Sequence, residues 1–102
     1  MPIQGELYPI NEKNLSSAPD SGGVYALYVG NDLIYYGRSK GGTTSIRSRL
    51  NDHASGRDGK CTQQATHYRR EVTASATSRE VALLEDFKRA TGRLPRCNER
   101  VG

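Results

Sequence analysis

The sequence predicts one small α+β domain in which a three-stranded, mainly antiparallel sheet is flanked by helices. A chain of 102 residues has room for a single core, so we assign residues 1–102 to one domain, with 1–21 as an N-terminal lead-in and 22–99 as its core. Two adjacent runs rich in β-branched and aromatic residues indicate paired strands. Two later stretches with apolar residues at helical spacing indicate helices.

The first two predicted strands form a β-hairpin. Residues 23–29 and 33–37 flank a turn at residues 30–32, Gly-Asn-Asp, whose residue types tolerate a positive φ. A three-residue loop places Tyr25 and Tyr35 as diagonal neighbours on one face of the sheet. A two-residue loop would separate them, because one step of register moves a side chain to the other face.

A short helix is predicted directly after the hairpin. The hydroxyl residues 43–45 offer a helix cap, and Ile46 and Leu50 form the apolar i, i+4 pair of a helix that rests on a core. Arg49 and His53 are also four residues apart. They therefore project from the same side of the predicted helix.

A loop, a third strand and a second helix follow. Residues 56–66 have loop-like composition, and residues 67–74 alternate apolar with polar side chains as a strand does. Thr77 and Glu80 form a T-x-x-E capping box ahead of the apolar-rich run 81–90. The second helix is therefore predicted to start there, and Glu80 is assigned to capping.

The basic residues concentrate in the middle of the chain. Residues 1–37 carry one lysine and four acidic residues, a net charge of −3, whereas residues 38–70 carry eight basic and two acidic residues, a net charge of +6. A local excess of arginine favours binding to a phosphate backbone, because neutralised phosphates release counterions. An ordinary solvated basic face is the alternative interpretation.

Other features of the chain exclude several classes of protein. No apolar run is long enough to span a bilayer and the first residues lack a signal-peptide pattern, so we predict a cytoplasmic protein with no membrane partner. Cys61 and Cys97 have no C-x-x-C pair or histidine at ligand spacing. We therefore expect two free thiols and no zinc site.

A series of motifs runs through the predicted core in a characteristic order. Its members are Gly23-Val24-Tyr25, Tyr35-Tyr36-Gly37, Arg49-x-x-x-His53, Leu84-Glu85 and Pro95-Arg96-Cys97-Asn98. Over about residues 15–99 this order resembles the GIY-YIG nuclease superfamily. The resemblance implies a small three-stranded sheet with helices around it and an activity that cuts DNA phosphodiester bonds.

The resemblance also implies catalytic roles. Tyr25 and Tyr35 match the two motif tyrosines; we favour Tyr25 as the general base and Tyr35 as the orienter of water or phosphate. Arg49 matches the arginine that contacts the scissile phosphate, although Arg47 is a rival. His53 matches the residue one turn later and is a candidate acceptor for the proton of Tyr25.

One Mg²⁺ or Mn²⁺ ion is the cofactor that the resemblance implies. Glu85 matches the metal-binding glutamate, and it is also the helix carboxylate placed beside the apolar face, so we predict it to hold the ion. Asn98 matches the asparagine that closes the pattern and is equally compatible with a backbone clamp. The predicted substrate-binding residues are Arg38, Lys40, Arg47, Arg57, Lys60, Arg69, Arg70 and Asn98.

Together these features predict a small metal-dependent DNA endonuclease. The alternative is a nucleic-acid-binding module on the same fold without turnover. Single-stranded, duplex and branched DNA all stay open as substrates, as does RNA. Target choice would come from loops, from a homodimer or from a protein partner.

Overall fold

The computed structural model describes residues 2–98, which form one antiparallel sheet and four helices. The elements are β1 (Tyr8–Pro9), α1 (Glu12–Ser16), β2 (Gly23–Val29), β3 (Asp32–Ser39), α2 (Ile46–Ser55), α3 (Lys60–Gln63), β4 (His67–Val72) and α4 (Ala76–Thr91). The strand order is β1-β4-β2-β3, and every neighbouring pair is antiparallel. The α+β class is confirmed, with one strand more than predicted.

The fourth strand comes from the N-terminal lead-in, so the expected count of three strands is wrong. In β1, Tyr8 pairs with Tyr68 and Pro9 pairs with His67 of β4. The Tyr8 ring stacks on Tyr68 with 5.3 Å between ring centroids, and the Arg70 guanidinium lies 4.7 Å from the centre of the Tyr8 ring. A strand of two residues has no periodicity to detect in a sequence. It exists because of these side-chain contacts with β4.

The β2–β3 hairpin is confirmed, but its loop has two residues, Gly30 and Asn31, rather than three. A register shift between Leu27 and Tyr28 compensates for the shorter loop, so Leu27 still pairs with Tyr35. Tyr25, two residues before Leu27, is therefore a diagonal neighbour of Tyr35 as predicted. The bulge keeps the two tyrosines on one face.

Helix α2 is confirmed, and it begins where the hydroxyl residues predict. The Ser45 hydroxyl accepts a hydrogen bond from the backbone nitrogen of Ser48, and the Ser48 hydroxyl accepts one from the backbone nitrogen of Ser45. This reciprocal capping box starts the helix. Gly56 ends it in the left-handed conformation, with a φ of 85°.

Helix α4 begins earlier than its predicted capping box. It starts at Ala76, and Ser75 precedes it without a side-chain capping bond. Ala76 is buried against the sheet, so tertiary packing starts the helix two residues before the position that the local signal predicts. Glu80 therefore lies inside the helix and does not cap it.

The two helical layers cover opposite faces of the sheet. One cluster contains Val24, Ala26, Tyr28 and Tyr36 of the sheet with Leu83 and Leu84 of α4. The other contains Tyr25, Leu27, Ile34 and Tyr68 with Ile46 and Leu50 of α2. Strand β3 is the edge at which the two layers meet. No helix among residues 2–98 has the length and apolar character needed to cross a membrane.

A disulfide closes the free edge of β3. Cys61 of α3 is bonded to Cys97, so the expectation of two free thiols is wrong. The backbone nitrogen of Cys97 donates to the carbonyl oxygen of Ile34 at 2.9 Å. The two cysteines are separated by 36 residues, and a cross-link over such a distance stabilises a fold by about 3–4 kcal/mol in the chain-entropy model. Only the fold brings them together, because their spacing matches no local motif.

Candidate active site

An open pocket of about 510 Å³ lies at the outer edge of β3, between the two helical layers. Several parts of the chain contribute polar side chains to its wall: β3, α2, the segment 58–62, α4 and the segment after α4. The predicted site residues that line it are Tyr35, Arg38, Arg49, His53, Lys60 and Asn98. The fold thus gathers most of the proposed chemistry in one place.

Tyr25 lies directly beneath the pocket. Its side chain is fully buried, and its hydroxyl is 2.7 Å from Nε2 of His53. Gly37 faces it across the hairpin, and a Cβ built at Gly37 would lie 2.4 Å from the Tyr25 hydroxyl oxygen. Glycine at this position therefore makes room for the tyrosine. Burial raises the pKa of Tyr25, as does the neighbouring Tyr35, while the charge and hydrogen bonding of Arg49 oppose the rise.

His53 joins the buried tyrosine to the short helix α3. Its Nδ1 lies 2.8 Å from the Thr62 hydroxyl, and its Nε2 faces Tyr25. Burial lowers the pKa of His53 to about 4, with Asp58 opposing and Arg49 adding to the shift. The imidazole is therefore neutral at pH 7, so one of its ring nitrogens can accept a hydrogen bond.

Tyr35 is the motif tyrosine that reaches the pocket surface. It is half-buried, and its ring centroid lies 5.0 Å from that of His53 and 6.3 Å from that of Tyr25. Burial raises its pKa, and the charge of Arg49 opposes that rise. The two tyrosines and the histidine form one contiguous aromatic group.

The two candidate arginines of α2 have different surroundings. Arg49 lines the pocket and bonds to the carboxylates of Asp52 at 3.3 Å and Asp58 at 2.7 Å. Arg47 donates from Nε to the carbonyl oxygen of Ala18 at 2.9 Å and does not line this pocket. The geometry therefore favours Arg49 over its rival for a contact with a phosphate.

The α4 carboxylate that reaches the pocket is Glu80, whereas Glu85 is exposed elsewhere on that helix. The structure therefore does not bring Glu85 together with the predicted site residues that line this pocket. Glu80 stands one turn before Leu84, which also lines the pocket, and residues four apart share a helix face. Glu80 is buried and forms an ion pair of 2.5 Å with Arg38. The four-residue spacing between Glu80 and Leu84 indicates that both lie on one face of the helix, but the capping-box interpretation assigned Glu80 to the helix end instead.

The remaining basic residues of the middle segment do not form one surface. Lys60 lines the pocket, whereas Lys40 lines a second, smaller cavity beside the start of α4. Arg57 is largely exposed and lies 3.7 Å from Asp52. Only Lys60 of these three stands at the candidate site.

Arg69 and Arg70 are engaged within the fold. Arg69 donates to the Tyr28 hydroxyl at 2.9 Å, and to the carbonyl oxygen of Gly5 at 3.2 Å. Arg70 donates to the Tyr8 hydroxyl at 3.0 Å. Neither lines the pocket, and both join β4 to its surroundings. Their predicted contact with a substrate backbone finds no support in this geometry.

Asn98 acts as a clamp on the edge of β3. Its side-chain nitrogen donates to the Tyr36 carbonyl oxygen at 3.0 Å, and its side-chain oxygen accepts from the Tyr36 backbone nitrogen at 2.9 Å. This pair satisfies the unpaired backbone groups of an edge strand. The backbone-clamp alternative is therefore the one observed, although Asn98 also lines the pocket.

Two missed residues complete the pocket, Asp58 and Thr62. Asp58 bonds to Arg49, and Thr62 bonds to His53. Both lie in a stretch with loop-like composition, where no periodic pattern indicates which side chains turn inward. Only the tertiary structure reveals them.

The donor set of the pocket limits which metals it can hold. Among residues 2–98 no three His, Cys, Asp or Glu side chains converge as a metal-binding group. Glu80 and Asp58 nevertheless each bring a carboxylate to the open pocket, where Glu80 pairs with Arg38 and Asp58 with Arg49. Such a donor set fits a Mg²⁺ ion that keeps most of its waters.

Fold and pocket together define an α+β domain with a tyrosine–histidine–arginine site at the edge of its sheet. Comparison with protein-family models, curated proteins and solved structures finds no match to this chain. The resemblance to GIY-YIG nucleases therefore stays a prediction.

Proposed function

We propose that this protein is a metal-dependent endonuclease that hydrolyses DNA phosphodiester bonds in the pocket at the edge of β3. The main support is that residues distant in the sequence come together at one pocket. Tyr35, Arg49 and His53, which the nuclease pattern singles out at distant positions, line one pocket, and Tyr25 bonds to His53 directly beneath it. A shared structural role would not require a phenol, an imidazole and a guanidinium around an open cavity.

Arg49 is the proposed phosphate ligand. In the free protein its guanidinium bonds to Asp58 at 2.7 Å, so a carboxylate occupies the donors that a phosphate would use. A bound phosphodiester would compete with Asp58 for them. Arg49 then stabilises the negative charge that grows on the phosphate in the transition state.

Tyr25 and His53 are the proposed proton-transfer pair. In this proposal Nε2 of His53 takes the proton of the Tyr25 hydroxyl, and the phenolate acts as general base on water. Burial opposes both changes, because it raises the pKa of Tyr25 and lowers the pKa of His53, whereas the charge of Arg49 favours the phenolate. Tyr35 has no such acceptor at its hydroxyl among the described residues and faces the pocket, so it orients water or phosphate.

Glu80 takes the metal-binding role in place of Glu85. Its carboxylate would hold one Mg²⁺ or Mn²⁺ ion, which when bound supplies charge stabilisation to the phosphate and the leaving oxygen. A bound metal would compete with Arg38 for the Glu80 carboxylate. Arg38 would then be available to a second phosphate of the backbone.

Cleavage assays test this function directly. We expect the protein to cut at least one of single-stranded, duplex or branched DNA when Mg²⁺ or Mn²⁺ is present, and to lose that activity with a chelator. RNA is included to define the substrate class. Binding without cleavage under every metal condition would support the alternative, a nucleic-acid-binding module without turnover.

The two tyrosines should differ when their hydroxyls are removed. We expect Tyr25→Phe to lower turnover by about 10²-fold or more and Tyr35→Phe to lower it less, because of the two hydroxyls it is that of Tyr25 that lies at hydrogen-bond distance from His53. Both changes keep the ring, so thermal unfolding checks that the fold survives. The pH–rate profile at saturating metal identifies the base, whose loss removes the ascending limb.

Two results would contradict that assignment. If Tyr35→Phe alone flattens the ascending limb, the roles of the tyrosines are exchanged. If neither variant flattens it, no tyrosine acts as the base.

A further inference from the structure

We infer that Thr62 is a positioning residue that fixes the tautomer of His53, so that Nε2 is left to receive the proton of the Tyr25 hydroxyl. This role rests on the proposed function, in which His53 accepts that proton. Thr62 lies in α3, outside every motif of the nuclease pattern.

Both ring nitrogens of His53 are engaged inside the fold. His53 and Thr62 are 2% and 4% exposed, so water does not compete for these bonds. Nδ1 lies 2.8 Å from the Thr62 hydroxyl oxygen, and Nε2 lies 2.7 Å from the Tyr25 hydroxyl oxygen. A neutral imidazole carries one proton, so one of these nitrogens donates and the other accepts.

Two tautomers are compatible with the distances alone, and the surrounding charges distinguish them. Asp58 places a carboxylate oxygen 3.7 Å from Nδ1, which favours a proton on that nitrogen. At the other end, His53 is the hydrogen-bond partner that the structure shows for the Tyr25 hydroxyl within residues 2–98. The Tyr25 proton is then directed to Nε2, because a proton on Nε2 would leave the buried hydroxyl proton without an acceptor.

The other groups around His53 agree with this arrangement. The Tyr35 ring lies 5.0 Å from the imidazole, centroid to centroid, at an angle of 60°, and Asp52 adds a negative charge from the same helix as His53. Neither offers Nε2 a competing partner at hydrogen-bond distance. The Thr62 hydroxyl oxygen therefore accepts a hydrogen bond from the protonated Nδ1. In other proteins, too, a hydrogen bond at one ring nitrogen of a histidine orients the ring for the work of the other nitrogen.

Helix α3 holds Thr62 in place through its neighbours. The preceding residue, Cys61, is bonded to Cys97. The Thr62 carbonyl oxygen accepts a hydrogen bond of 3.2 Å from the backbone nitrogen of Ala65. A helix of only four residues is thus anchored on the side of the pocket that faces His53.

Nitrogen-15 NMR of histidine reads the tautomer without any nucleic acid. A protonated ring nitrogen and a bare one have widely separated shifts, and the chain has two histidines, so His67→Gln assigns the signals. In the wild-type protein at pH 7 we expect the proton of His53 on Nδ1. Thr62→Ser should keep that pattern, and Thr62→Val, which has the same shape without the hydroxyl, should lose it.

Turnover at saturating metal provides the second measurement. We expect Thr62→Val to lower it by about 10-fold to 10²-fold and Thr62→Ser to restore it to within about threefold of wild type, since orientation of the proton acceptor supports acid–base catalysis. Thermal unfolding of both variants checks the fold. The wild-type spectrum alone still tests the tautomer if the valine variant does not fold.

The outcomes separate this role from the nuclease activity. A proton on Nε2 in the wild-type protein, or an unchanged spectrum and rate in Thr62→Val, overturns the role of Thr62. The Nδ1 pattern together with no cleavage by wild type supports the Thr62–His53 link and counts against the nuclease instead.

Discussion

Replacing Glu80 with glutamine is expected to abolish metal-dependent cleavage, by about 10³-fold or more, whereas Glu85→Gln should stay within about twofold of wild type. Glu80 is the α4 carboxylate that lines the pocket, and Glu85 lies exposed on the same helix. The amide keeps the shape and hydrogen bonding of Glu80 but loses the charge that a divalent cation needs. Cleavage of a fixed DNA substrate over a range of Mg²⁺ concentrations measures the difference.

Loss of the ion pair with Arg38 is the main complication of the Glu80 variant. DNA binding measured in a chelator controls for it, because an unpaired Arg38 should strengthen binding while cleavage disappears. Binding of Mn²⁺ in the absence of DNA measures independently whether the variant has lost affinity for the metal. The reverse ranking, with Glu85→Gln inactive and Glu80→Gln active, would restore Glu85 as the ligand and reject the pocket as the metal site.

Arg49→Ala is the second change with a large expected effect. We expect turnover to fall by about 10²-fold or more while DNA affinity falls much less, because the guanidinium stabilises charge that develops in the transition state. Arg47→Ala is the matched control from the same helix. Its side chain donates to the Ala18 carbonyl outside the pocket, so turnover should hardly change. Single-turnover kinetics separate the chemical step from binding.

Arg49 also interacts with Asp58 and with Tyr25, so its loss acts on more than the phosphate. Arg49→Lys keeps the charge but not the two-pronged geometry, and it should recover only part of the rate. A larger loss in Arg47→Ala than in Arg49→Ala would move the phosphate-binding position to Arg47.

The sequence by itself determined the elements that depend on local physical chemistry. The β2–β3 hairpin, the capped helix α2 and the strand β4 follow from residue propensities, turn residues and periodicity over short stretches. The projection of Arg49 and His53 from the same side of α2 follows from helical geometry alone. The position of Tyr25 and Tyr35 as diagonal neighbours on the sheet was also predicted, although a bulge rather than a three-residue loop produces it.

The tertiary structure decided the features that depend on which segments meet. The strand β1 exists through contacts with β4, and the Cys61–Cys97 bond joins segments that are distant in sequence. The start of α4 depends on packing of Ala76 against the sheet, which outweighs the local capping signal. Packing of Leu83 and Leu84 in the core turns Glu80 toward the pocket at β3 and leaves Glu85 exposed. Local propensities act along the chain, whereas a pocket forms between layers, so its residues are selected by long-range packing.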